Sequence, residues 1–81
     1  MAIISEKYEG SKIINRYKSS NIQGSIYETD TKKLILEFKG ERKYEYSNVP
    51  PIIAASFRRA QSQGQYFNKE INKKFPYKLL K

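Results

Sequence analysis

The sequence predicts an α+β domain, a three-stranded antiparallel β-meander followed by two short helices packed on one of its faces. Three observations carry that expectation. Apolar and polar residues alternate between Asn21 and Val49, the period of a half-buried strand. Two turn-forming stretches, Asp30-Thr31-Lys32 and Lys39-Gly40-Glu41, divide that region. Beyond Val49-Pro50-Pro51 the apolar residues fall at helical spacing instead.

Taken in order, residues 1–18 hold no stable period. Ile13, Ile14 and Tyr17 could share one face of a short helix with Ser11 as its cap. Gly10 and the surrounding polarity equally suit a flexible or loosely docked N-terminal arm, so the compact domain is expected over residues 19–81. Ile22 and Ile26 mark a first strand, interrupted by Gln23-Gly24-Ser25, where Gly24 suits a bulge or a close backbone approach. Leu34, Leu36 and Phe38 alternate with Ile35, Glu37 and Lys39 in a second strand, and Tyr44 and Tyr46 alternate with Lys43 and Glu45 in a third. Proline cannot donate to a strand ladder but is tolerated at a helix start, so Pro50-Pro51 ends the extended region. Ile53, Phe57 and Ala60 then lie on one helical face, with Arg58 and Arg59 on others. Ser62 and Gln65 have capping-box spacing for a second helix, which carries Phe67 and Ile71 and closes at Pro76. Tyr77 to Leu80 has two placements, a short edge strand or simple packing against the sheet.

Composition narrows the chemistry. The 81 residues contain no cysteine and no histidine. That removes the thiolate nucleophile, the zinc-finger framework and the usual near-neutral acid/base group. Glu28, Asp30, Glu37, Glu41 and Glu45 fall in turns or on the solvent side of strands, where nothing tunes a catalytic pKa. No metal-ligand spacing or glycine-rich phosphate loop occurs, so neither an enzyme nor a bound cofactor is expected. The apolar start Met1-Ala2-Ile3-Ile4 runs at once into Ser5-Glu6-Lys7, and no run approaches the ~20 residues of a membrane span; a cytoplasmic protein is expected.

Charge is the positive clue. The chain carries 16 Lys and Arg against 8 Asp and Glu, a net +8. Residues 1–18 hold four basic and two acidic side chains, residues 19–49 five of each, and residues 50–81 seven basic and one acidic. The C-terminal third therefore dominates the field and would attract phosphates or an acidic partner.

Three patches of sequence stand together at a telling spacing: Ser20-Asn21-Ile22 with Tyr27; Phe38 followed by Tyr44-Glu45-Tyr46-Ser47-Asn48-Val49-Pro50; and Ala60-Gln61-Ser62-Gln63-Gly64-Gln65-Tyr66-Phe67-Asn68 with Ile71. In this combination the chain resembles the KTSC domain family over about residues 19–77. Gly40 stands one position earlier than is usual there, and Pro51 follows Pro50 where an ordinary helix residue is common. The resemblance implies a small module found free-standing in bacteria and phages and at the C-terminus of some lysyl-tRNA synthetases, a setting that suggests RNA binding.

The leading expectation is non-catalytic nucleic-acid binding, RNA or another single strand. Arg58, Arg59, Lys69, Lys73 and Lys74 would meet phosphates, with Lys69 and Lys73 on one helical stripe. Tyr66 would stack a base and Asn68 would add polar contacts. Tyr44, Tyr46 and Phe67 are expected in the core, and Gly64 at a positive-φ junction between helices. The alternative is a phage or bacterial regulator that clamps an acidic protein through the same surface, anchored by Tyr8, Tyr17 or Tyr77. Self-association through an open sheet edge would also be compatible.

Overall fold

The computed structural model describes residues 3–18 and 21–80. Its sheet has six antiparallel strands in chain order: β1 (Ile3–Glu9), β2 (Lys12–Tyr17), β3 (Ile22–Glu28), β4 (Lys33–Phe38), β5 (Arg42–Tyr46) and β6 (Tyr77–Leu79). Between β5 and β6 the chain leaves the sheet as α1 (Pro51–Arg59) and α2 (Gln63–Tyr66), the latter running on into a π-helical turn, Phe67–Ile71.

The expected three-stranded meander is corrected to six strands. It corresponds to β3, β4 and β5, and β6 takes up the edge-strand placement of residues 77–80. The other two strands come from the segment expected as an arm. There β1 and β2 form a hairpin closed by Glu9 opposite Lys12, leaving a two-residue connection in which Gly10 takes φ +60. No helix forms over Ile13–Tyr17, and Ser11 donates its hydroxyl to the Glu28 carboxylate rather than capping one.

Register sorts the side chains onto two faces, because directly opposed residues in an antiparallel pair share a side. One face carries the rows Tyr8–Ile13–Tyr27–Leu34–Tyr46–Tyr77 and Glu6–Asn15–Ser25–Leu36–Tyr44–Leu79. The helices cover this face. Tyr17, Ile22, Tyr27, Leu34, Leu36 and Tyr46 are buried beneath Val49, Ala54, Phe57, Phe67 and Ile71. Edge-to-face ring pairs fix the layer: Tyr17 on Phe57 at 5.6 Å, Phe38 on Phe67 at 5.3 Å and Tyr46 on Phe67 at 5.7 Å between centroids. The buried hydroxyls of the core are matched, whereas Asn15 Oδ1 and Gln63 Oε1 are buried with no hydrogen-bond partner among the described residues. The Tyr27 hydroxyl donates to the Val49 carbonyl at 2.7 Å, and Tyr17 and Ser25 share a 2.7 Å hydroxyl hydrogen bond. Burial pushes both the Tyr17 and Tyr46 phenols up to about 12.

The opposite face has no helix over it. It carries the row Lys7–Ile14–Ile26–Ile35–Glu45–Lys78, flanked by Glu9–Lys12–Glu28–Lys33 and Ser5–Arg16–Gly24–Glu37–Lys43. Gly24 has a specific task in that last row. A Cβ there would lie 2.9 Å from the Asn15 carbonyl oxygen and 3.4 Å from the Arg16 guanidinium, so its absence lets Arg16 reach across β3 to Glu37. The register also slips between Ile22 and Gly24, so this glycine serves both a bulge and a close approach.

Candidate functional site

The two sides of the sheet treat charge differently. On the open face Lys7 pairs with Glu9 at 2.8 Å, Arg16 and Lys43 share Glu37 at 2.8 and 3.5 Å, and Lys33 and Lys78 share Glu45 at 3.8 and 3.6 Å. The helical segment has Glu70 as its single carboxylate. Arg59, Lys69, Lys73 and Lys74 are all exposed there, and none has an ion-pair partner among the described residues.

Arg58 departs from the expected phosphate-binding set. Its side chain is only 13% exposed, and its Nε lies 3.4 Å from a Glu6 carboxylate oxygen on β1. Glu6 also accepts 2.9 Å from Asn15 Nδ2 and 3.2 Å from the Tyr8 hydroxyl. The Asn15 hydrogen bond, with help from Tyr8 and Arg58, outweighs partial burial and holds the Glu6 carboxyl below its usual range. Arg58 therefore ties the end of α1 to the edge strand.

The expected Lys69–Lys73 stripe is also broken. Lys69 sits in the π-helical turn, Asn72 leaves helical backbone with ψ 124, and Lys73 adopts φ +64. The two lysines are exposed on successive turns of different backbone, not stacked on one α-helical face. Gly64 is helical rather than positive in φ, and a Cβ on it would be 3.5 Å from Asn21 Nδ2. Tyr17 is core, 3% exposed, and is no surface anchor, whereas Tyr8 and Tyr77 are exposed.

Around α2 the parts come together. Ser62 caps it by accepting from the Gln65 N–H at 3.3 Å. The buried Gln63 turns inward, donating to the Phe57 and Ala60 carbonyls at 3.3 and 3.0 Å, and so locks α2 onto the end of α1. With that side anchored, the other side of α2 forms a shallow concavity lined by Ala60, Gln61, Ser62, Gln65, Tyr66 and Lys69. Tyr66 is half-buried, its ring packed on Phe57 at 6.2 Å. Neighbouring Asn68 is exposed, and its amide has no hydrogen-bond partner among the described residues. The concavity thus offers an aromatic ring, a cation, two amides and a hydroxyl, with no carboxylate in its lining.

Sequence reasoning missed Lys39 and Arg42. They bracket the β4–β5 turn, where Gly40 and Glu41 take φ +85 and +63, and with Asn21 and Phe38 they line a second depression. Their places on either side of a turn can be read in the sequence, but their nearness to α2 cannot. What brings them beside α2 is the sheet's topology, which places the β2–β3 and β4–β5 connections at the same end. No group of three or more metal-ligating side chains occurs among the described residues. No helix among them is long and apolar enough to cross a membrane.

The profile of the KTSC domain matches residues 18–75. The chain belongs to the KTSC domain family. A KTSC domain protein from Yersinia pestis superposes with a TM-score of 0.81 at 28% identity, covering 84% of this chain and 96% of that one. Two lysine–tRNA ligases are similar over 63 residues, 78% of this chain: that of Nostoc punctiforme at 40% identity and that of Trichormus variabilis at 43%. The chain spans 11% of the length of these relatives. The match to the KTSC family begins at Lys18, so the β1–β2 hairpin lies wholly outside it.

Proposed function

We propose that this KTSC domain is a non-catalytic, cytoplasmic module that binds nucleic acid, with single-stranded RNA preferred over duplex DNA. The observation that carries this reading is the segregation of charge: apart from Arg58, the cations of the helical segment are exposed and unmatched among the described residues, while Lys7, Arg16, Lys33, Lys43 and Lys78 of the open face are ion-paired. Lys69, Lys73, Lys74 and Arg59 would meet phosphates. Tyr66 would stack a base against a ring already held by Phe57, and Asn68 would hydrogen-bond a base or sugar. The lysine–tRNA ligases that share this segment act, by name, on an RNA, which favours RNA over DNA.

Fluorescence anisotropy with labelled single-stranded RNA, single-stranded DNA and duplex probes at several salt concentrations tests the reading. Single-stranded RNA is expected to bind in the micromolar range or tighter, each phosphate contact adding about 0.7 to the slope of log affinity against log salt. Replacing Lys69, Lys73 and Lys74 together by alanine is expected to lower that slope by about 2. Absence of binding at low salt would overturn the reading and turn the same cations into a docking surface for an acidic protein.

A further inference from the structure

The depression at the β4–β5 turn assigns a role to two cations that the interface described above does not use. Phe38 and Arg42 are directly opposed across the hairpin and share the helix-covered side of the sheet. The Phe38 ring is braced edge-to-face by Tyr44 at 5.7 Å and by Phe67 at 5.3 Å, so this wall of the depression is rigid. The backbone is braced as well, since the Lys39 N–H donates to the Asn21 carbonyl at 2.9 Å. Arg42 and Lys39 are both exposed, neither has an ion-pair partner among the described residues, and Glu41 between them does not line the depression. Two unmatched cations, a fixed ring edge and an amide side chain form the kind of seat that takes a phosphodiester with its sugar or base alongside.

Its position says which ligand. Asn21 lines this depression and packs against Gly64, while Ser62 and Gln65, on either side of Gly64 in the chain, line the Tyr66–Lys69 concavity. The two hollows therefore flank the same short helix, separated by a residue with no side chain. We propose that the Asn21–Phe38–Lys39–Arg42 depression is a second seat for the same RNA strand, holding a phosphate on one flank of α2 while a neighbouring nucleotide lies on Tyr66 at the other. This rests on the nucleic-acid reading above and extends it from one contact patch to a path across the end of the sheet.

A strand that fills two seats must be long enough to reach both, and that separates this proposal from the reading it rests on. The test compares oligouridylates of about 4 and about 12 nucleotides, a short and a long probe within the about 4–16 nucleotide site sizes of small single-strand-binding domains. Wild-type protein is expected to bind the longer probe more tightly and with a steeper salt slope. The Lys39→Ala/Arg42→Ala double variant, changed at exposed positions and checked for fold by circular dichroism, is expected to weaken long-probe binding about tenfold and to reduce its slope by about 1–2. It should leave the short probe nearly unaffected, and Arg42→Lys should retain most of the slope. Long-probe binding unchanged in the double variant overturns the second seat and leaves the first interface standing. Failure of the wild-type protein to bind either probe overturns both.

Discussion

The two faces of this sheet are built from the same strands, yet one is closed by chemistry and the other by packing. On the helix-covered face, rings from β2, β4 and β5 meet Phe57 and Phe67, and the buried Tyr17 and Tyr27 hydroxyls find specific partners in Ser25 and the Val49 carbonyl. On the open face three half-buried isoleucines, Ile14, Ile26 and Ile35, lie between two rows of charged residues of alternating sign. Shared carboxylates hold those rows together, Glu37 between Arg16 and Lys43, and Glu45 between Lys33 and Lys78. An antiparallel sheet can face water on one side when its outward positions are polar. Here the outward charges also neutralise one another. Lys12, Lys18 and Lys32 aside, the cations without an ion pair among the described residues lie on the helical segment and at the β4–β5 turn, so the face that makes the core is the one whose cover presents most of the positive field.

The comparison is broken most forcefully by truncating one apolar side chain on each face. Phe57→Ala removes a fully buried ring that touches both Tyr17 and Tyr66 and is expected to cost about 3–5 kcal/mol, enough to unfold much of a domain this small. Ile26→Ala on the open face is expected to cost about 1–2 kcal/mol, because that side chain is only half-buried. Urea unfolding followed by circular dichroism measures both, and equal losses would mean that the open face is also covered in solution.

Alkaline titration sharpens the same contrast. The Tyr17 phenol sits at about 12 in the folded chain, against an ordinary value of 10.0. Between those values the unfolded state has lost its proton and the folded state keeps it. Stability is therefore fully present below pH 10 and falls as pH rises towards 12, by at most about 2.7 kcal/mol from this group. Tyrosinate absorbance and circular dichroism are expected to change together in that window. Tyr17→Phe, which cannot ionise, is expected to flatten its share of the slope.

The strands that sequence made legible are those with one buried and one exposed side. Leu34, Leu36 and Phe38 in β4 and Tyr44 and Tyr46 in β5 follow that alternation, and the turns between them carry the expected residues. The hairpin of β1 and β2 is illegible for the same physical reason in reverse. As an edge strand, β1 is exposed at every position after Ile3, so no apolar period survives. In β2 one of the two fully buried positions is Asn15, whose amide serves Glu6, and adjacent Ile13 and Ile14 occupy opposite faces. Losing β1 also hid the fate of Arg58, since Glu6 cannot be matched to it until the edge strand is in place. Lys69 and Lys73 misled because helical spacing was extended through Asn72, where the backbone turns away. The Ser62 cap was readable because capping is local chemistry. Lys39 and Arg42 were not, because their nearness to α2 is a property of the whole sheet.

The smallest expected effect tests whether charge acts by place or merely by sum. Lys33 lies on the open face, 3.8 Å from Glu45, which is also 3.6 Å from Lys78. Lys33→Ala leaves Glu45 with its second partner, so the field on that face changes little. Partly exposed pairs of this kind contribute about 0–1 kcal/mol, and stability is expected to move within that range. Affinity for single-stranded RNA is expected to stay within about twofold of wild type, because the charge removed is already screened by its carboxylate and by salt over a Debye length of about 8 Å. Lys69→Ala removes the same formal charge from the unmatched side and is expected to weaken binding severalfold and lower the salt slope by about 0.7. Parallel titrations of the two variants read the difference directly. Equal losses would mean that the net charge of the chain attracts RNA without regard to face, and the distinction between the two sides of the sheet would then concern stability alone.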